Sequence, residues 1–384
     1  MPMEEKYYTL AVHNGYHPDP LTGAVMPPIV QSSTFAQKEP GVHQGFDYSR
    51  ADNPTRKILE TALAALEGCP YALAFASGLA AEQAIIQTLP EPTEVLVSDD
   101  VYGGTGRLFR RLFEKYGFVF KFIDMGNLDN VRSALSSKTG LIWLETPSNP
   151  LLKVIDIAAI ATLAKSAGKH CKVVVDNTFA SPIFQKPLAL GADIVIHSTT
   201  KYIGGHSDLI GGALMCKDKD TYEALKFVQF AAGAVPSPME CFLLHRSIKT
   251  LALRMQKHES NAQEIVSFLL GHPKIERVFY PGLKEHYNHA IAKKQMSGYS
   301  GMLSFAWKGS YDTVLTMLAR LKLFTLAESL GGVESLINHP ERMTHASVPE
   351  AQRRLLGIGP NLLRISAGIE SSTDLIEDLK QAMQ

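Results

Sequence analysis

The chain is poor in cysteine. Its four, Cys69, Cys171, Cys216 and Cys241, stand far apart, and no two form a C-x-x-C pair. That scarcity argues against a disulfide framework or a zinc site and for buried free thiols in a reducing compartment. There is also no surplus of charge: 38 Lys+Arg balance 38 Asp+Glu. No basic field therefore favours nucleic acid or an anionic membrane surface. No apolar run reaches membrane-spanning length. The opening residues Met1-Pro2-Met3-Glu4-Glu5-Lys6 lack the apolar core of a signal peptide. The expectation is a cytoplasmic protein with no metal, nucleic-acid or membrane partner.

What is present is ordinary for a soluble globular protein: 384 residues, 45% hydrophobic and 20% charged, enough for two or three domains. Strand-like and helix-like segments alternate through the first two thirds. Examples are strands at Ala72–Ala76, Val95–Val97, Phe118–Ile123 and Leu141–Leu144, with helices at Leu128–Leu135 and Asp156–Ala167. This alternation argues for an α/β fold around a doubly wound, mostly parallel sheet. The stretch Val173–Lys201 organises it. Val173-Val174-Val175 ends in Asp176, and Ile194-Val195-Ile196 is followed by Ser198, Thr200 and Lys201. In such sheets ligands sit beyond the carboxyl ends of the strands, so Asp176 and Lys201 fall on one rim. A lysine and an acid there suit pyridoxal phosphate (PLP), which needs a covalent amine partner and a carboxylate for its ring nitrogen. A solvated loop lysine and a helix-capping aspartate fit the same spacing.

Other segments offer candidates with plain alternatives. Prolines at 18, 20, 27, 28 and 40 keep the first fifty residues irregular, an arm suited to lying on another surface. Near its end, Tyr48 and Arg50 could present a hydroxyl and a guanidinium to one phosphate, or Arg50 could pair with Asp52. Thr55 is read as the cap of the helix that Gly68 stops. Ser77-Gly78-Leu79 opens a helix whose amides could cradle a phosphate. Tyr102 could stack on a planar cofactor. Gly104-x-Gly106 partly imitates a dinucleotide fingerprint, but Phe109 occupies the third glycine position. Asn149 lies beyond a strand end. His206 is a loop histidine or a general base. Pro238–Leu270 reads as one long helix, with Met239, Leu243, Leu244, Ile248, Leu251 and Met255 as a core stripe. A smaller α/β domain follows, with strands at Arg277–Phe279, Met302–Trp307 and Leu362–Ser366. Arg364 within it is either a carboxylate fork or an exposed sheet-face residue.

Taken together, Tyr48-Ser-Arg50, Ser77-Gly-Leu-Ala-Ala, Asp100-Val-Tyr102-Gly-Gly-Thr, Glu145-Thr-Pro-Ser-Asn149-Pro, Val175-Asp176-Asn-Thr, Ser198-Thr-Thr-Lys201-Tyr, Leu326-Ala-Glu328-Ser329-Leu-Gly-Gly and Leu363-Arg364-Ile-Ser resemble the Cys/Met-metabolism family of PLP-dependent enzymes. They run in family order over nearly the whole chain. The one departure is Ser148, a mild change beside Asn149. The resemblance implies the PLP-dependent transferase fold of type I, with an arm at 1–51, a PLP-binding domain at 52–252 and a C-terminal domain at 253–384. It implies that Lys201 bonds the cofactor and moves protons, Asp176 holds the ring nitrogen and Tyr102 stacks on the ring. Gly78, Leu79, Ser198 and Thr200 would hold the phosphate, joined by Tyr48 and Arg50 of a neighbouring subunit in a homotetramer of catalytic dimers. Asn149, Ser329 and Arg364 would orient a sulfur amino acid's carboxylate, with Arg107 and Glu328 at its distal end. The implied activity is α,γ-elimination of L-cystathionine, with hydrogen sulfide as a possible side product from cysteine or homocysteine. The alternative is γ-replacement of an O-acylhomoserine by cysteine.

Overall fold

The computed structural model describes residues 6–168, 170–346 and 348–384. Among them, seven strands form one sheet: Tyr71–Phe75 (β1), Glu94–Ser98 (β2), Val119–Ile123 (β3), Thr139–Glu145 (β4), Lys172–Asp176 (β5), Ile194–His197 (β6) and Gly212–Cys216 (β7). The spatial order is β1-β7-β6-β5-β4-β2-β3. β7 is antiparallel to both of its neighbours, and every other adjacent pair is parallel. β2, β6 and β7 are buried along their whole length, as short apolar strands covered on both faces must be. Shared direction brings the carboxyl ends of β4, β5 and β6 to one rim, where Glu145 pairs in register with Asp176.

Ten helices of the described residues follow one another around this sheet. Lys6–His13 (α1) lies in the arm, and Pro54–Glu67 (α2) and Gly78–Gln87 (α3) flank β1. Gly103–Leu108 (α4), Leu128–Ala134 (α5), Ile157–Ala167 (α6) and Ser181–Phe184 (α7) come next. Lys219–Ala232 (α8), Pro238–Ile248 (α9) and Leu251–Leu270 (α10) lead to the last third. There Ile275–Phe279 (β8), Met302–Trp307 (β9), Thr325–Leu326 (β10), Leu336–Asn338 (β11) and Leu362–Ser366 (β12) form a second sheet, ordered β10-β11-β12-β9-β8. The two sheets are tied at the rim: Ser304 on β9 donates its hydroxyl to the Pro150 carbonyl at 2.7 Å.

Four local expectations need correction. The arm holds α1, because no proline falls between Lys6 and His13 and those at 18, 20, 27, 28 and 40 all come after it. Asn53, not Thr55, caps α2: its side chain accepts the Thr55 and Arg56 amides, while Pro54 occupies the first turn. The Thr55 hydroxyl instead accepts the Val30 amide and anchors the arm. Pro238–Leu270 is two helices, broken at Lys249-Thr250. Arg254 takes the Ser247 carbonyl at 2.9 Å and so satisfies the end of α9 from α10. Met239 leaves the proposed stripe, being 49% exposed.

Candidate active site

Beyond the carboxyl ends of β4, β5 and β6 lies a cavity of about 800 Å³, closed on its far side by the segment around Ser329 and by β12. Asp176 and Lys201 both line it. Lys201 sits in the turn after β6, where the Gly204 amide donates to the Thr199 carbonyl and the Gly205 amide to the Lys201 carbonyl. Gly205 has φ +70°, and a Cβ there would lie 2.1 Å from the Arg254 guanidinium. Only glycine fits, because Arg254 fills that space while donating to the Tyr202 carbonyl at 2.6 Å. The turn that aims Lys201 is thus held from the helix behind it.

Around the lysine the cavity divides by chemistry. On one side, α3 begins at Gly78 and Leu79, where the first amides of a helix have no intrahelical partner and carry the positive dipole end. Ser77 caps α3 by accepting the Ala80 amide at 3.1 Å. Ser198 and Thr200 line the same end. On the opposite side, Arg364 donates to Asn149 Oδ1 at 2.8 Å and to the Ser329 carbonyl at 2.7 Å, while its Nε is buried without a hydrogen bond. The Lys201 amine donates to the Ser329 hydroxyl at 2.7 Å. Ser329 itself stands at φ +82°, a left-handed conformation that costs a serine roughly 1–3 kcal/mol and is held by these contacts. Tyr102 covers the middle. Its amide donates to Glu145 Oε2 at 2.7 Å, and a Cβ on Gly104 would come within 2.3 Å of its ring. That glycine serves the tyrosine's ring.

Burial sets the electrostatics. It lowers the Lys201 pKa to about 8, with the nearby Arg364 cation acting the same way and Glu328 opposing. Burial also lowers Arg364 to about 10 and raises the Tyr102 phenol, which Arg107 partly offsets. Burial raises the carboxyl of Asp176, and bonds from Thr178 counter it. Glu82 and Glu145 are pushed well above the usual carboxylate range, by burial first and by the Asp176 charge second. All three acids at the rim are thus shifted upward, Glu82 and Glu145 well above the usual range. A buried carboxylate of this kind is matched by a cationic ring nitrogen.

The structure brings together twelve of the fourteen residues singled out from the sequence: Gly78, Leu79, Tyr102, Arg107, Asn149, Asp176, Ser198, Thr200, Lys201, Glu328, Ser329 and Arg364 all line the cavity. Arg364 is fully buried there, not exposed on a sheet face. Tyr48 and Arg50 lie elsewhere: Arg50 donates to the Phe230 carbonyl at 2.7 Å and stacks on that ring. The dinucleotide alternative fails sterically, because Phe109 is buried in a stack with Phe120 at 4.6 Å. His206 bonds the Gly204 carbonyl at 2.7 Å as a loop histidine. Glu82, Thr178, Met343 and Thr344 also line the cavity and were missed. For Glu82 a signal existed: it is a lone acid on the apolar face of Gly78–Gln87, one turn after Gly78.

The description "Cys/Met metabolism PLP-dependent enzyme" fits a family model matching residues 8–384. The cystathionine gamma-lyase of Dictyostelium discoideum is 52% identical over 383 residues, covering 100% of this chain and 98% of that protein. The cystathionine beta-lyase of Coxiella burnetii is 51% identical over 377 residues, covering 98% and 97%. The crystal structure of cystathionine gamma synthase from Xanthomonas oryzae pv. oryzae, in complex with aminoacrylate and cysteine, superposes with a TM-score of 0.96 at 42% identity, covering 100% and 98%. Fold and cavity define a PLP-dependent enzyme of fold type I. The chain belongs to the Cys/Met-metabolism family of PLP-dependent enzymes. The cavity fits that cofactor: it offers a buried amine of lowered pKa, an acid for the ring nitrogen and a helix start for the phosphate.

Proposed function

We propose that the chain is a cystathionine γ-lyase, converting L-cystathionine and water to L-cysteine, 2-oxobutanoate and ammonia. The observation that carries this reading is an amine of lowered pKa, Lys201, in a cavity lined also by the Arg364–Asn149 fork and by a second cation and anion, Arg107 and Glu328. A substrate with an amino-acid group at each end matches that layout. The fork takes the proximal carboxylate, and the second cation and the anion meet the distal carboxylate and ammonium. The 52% identity to a gamma-lyase supports it as well.

When bound, PLP supplies an aldehyde for amines and a ring that accepts the electrons of a broken Cα bond. The residues around it have separate tasks. Asp176 pairs with the ring nitrogen, and Tyr102 lays its ring against the cofactor. The Gly78 and Leu79 amides, with the Ser198 and Thr200 hydroxyls, hold the phosphate. Lys201 would anchor the cofactor and, once displaced by the substrate amine, would take a proton from the substrate's Cα, release it, then take a second from Cβ and deliver a proton to the γ-sulfur, which departs as a thiol. A positioned proton carrier of this kind is worth roughly 10²–10⁴-fold in rate. Ser329 keeps the Lys201 amine within reach of those carbons. Tyr48 and Arg50 complete the phosphate site of a neighbouring subunit in a cytoplasmic tetramer, which accounts for their distance from this chain's own cavity.

A γ-synthase reading is favoured by the close superposition on a gamma synthase, a beta-lyase reading by the Coxiella relative. Product analysis separates the three. Incubation with L-cystathionine is expected to release 2-oxobutanoate and cysteine, with little cystathionine formed from O-succinylhomoserine plus cysteine. Pyruvate and homocysteine would identify a β-lyase, and rapid cystathionine synthesis a synthase. Either outcome overturns the proposal.

A further inference from the structure

Glu82 is a carboxyl that the scheme above leaves unused. It stands in the first half of α3, is 3% exposed, and lines the cavity. One oxygen accepts the Thr105 hydroxyl at 3.0 Å. The other, Oε2, is buried with no hydrogen-bond partner. An orphaned buried oxygen costs on the order of 1–3 kcal/mol, more if charged, unless a ligand satisfies it. The Thr105 bond also has a mechanical consequence. Thr105 belongs to α4, whose start carries Tyr102, whereas Glu82 belongs to α3, whose start carries Gly78 and Leu79. One side chain therefore ties the ring-covering segment to the phosphate end.

We propose that Glu82 is a cofactor-positioning residue: it locks the Tyr102 segment to α3 through Thr105 and lends its free oxygen to the ring-nitrogen end of the bound cofactor, beside Asp176. The groups facing it are Asp176 from β5, Glu145 from β4 and Tyr102. Burial first, and the Asp176 charge second, hold the Glu82 carboxyl well above the usual range. In this arrangement Glu82 acts through its hydrogen bonds and adds no second charge beside Asp176. The inference rests on the cofactor placement proposed above.

The test compares wild-type holoenzyme with E82Q, E82M and T105V by two readouts: the PLP dissociation constant and the pH titration of the bound cofactor's visible absorbance. E82Q, a neutral isostere, is expected to match wild type in both. E82M keeps the volume but loses the bonds, and is expected to weaken PLP by about fivefold, the equivalent of one net hydrogen bond, and to shift the titration. T105V is expected to weaken PLP less and leave the titration in place. If E82Q departs from wild type as far as E82M does, Glu82 acts as a charge and the proposal fails. If E82M matches wild type, it fails also. Failure of the cofactor placement shows differently, as wild-type protein whose PLP borohydride does not fix to Lys201, and the Glu82 assignment falls with it.

Discussion

A lysine amine in water is almost wholly protonated at neutral pH, whereas burial and the Arg364 cation bring the Lys201 pKa down to about 8, leaving about a tenth of it as free amine at pH 7. In cofactor-free protein, acylation of Lys201 should therefore reach half its maximal rate near pH 8. A midpoint near the ordinary 10.5 would show that the cavity does not depress it. Asp100 shifts in the opposite sense. Burial raises it to about 7 from 3.8, although Ser148 donates a hydroxyl to it and the Leu151 amide lies 3.4 Å away. Because the folded state binds this proton more tightly, its contribution to stability is complete below 3.8 and is lost as pH rises through 7. Urea midpoints at about pH 5 and about pH 8 should show D100N gaining on wild type at the higher pH. An unchanged gap would mean that Asp100 titrates normally.

At the scale of elements, the parts legible in the sequence were those whose residues settle their own geometry. Short β-branched runs such as Val173–Val175 can only be strands covered on both sides, and Asp176 and Lys201 follow them directly onto the rim. What stayed hidden depends on partners far along the chain. β10 and β11 are two and three residues long and exist because β12 pairs with β11. The break between α9 and α10 depends on Arg254, whose guanidinium also takes the Tyr202 carbonyl. Met343 and Thr344 reach the cavity from a segment without regular structure, and nothing in their spacing announces it. Arg254 offers the test at this scale. Replacing it by Met leaves buried carbonyls unpaired, and should lower stability by on the order of 3 kcal/mol and loosen PLP as the Lys201 turn relaxes. Lost stability with unaltered PLP affinity would show that the turn does not depend on it.

For the whole molecule, the informative residues are those the cavity leaves out. Tyr48 is 45% exposed and Phe227 69%, and Arg50 lies over the rings of both Tyr48 and Phe230. If each site borrows Tyr48 and Arg50 from a neighbour, two inactive variants can complement. A K201A chain mixed in equal amounts with an R50A chain and allowed to exchange subunits should recover about one quarter of wild-type activity, because half the dimers are hybrids and each hybrid has one intact site. No recovery in verified hybrids would place Arg50 outside the catalytic apparatus. The assigned chemistry depends on where the cofactor is attached, and that can be read chemically. Protein supplied with PLP, reduced with borohydride, digested and mapped by mass should carry a single pyridoxyl tag on the peptide containing Lys201. An untagged Lys201, or a tag on a different lysine, would contradict the account.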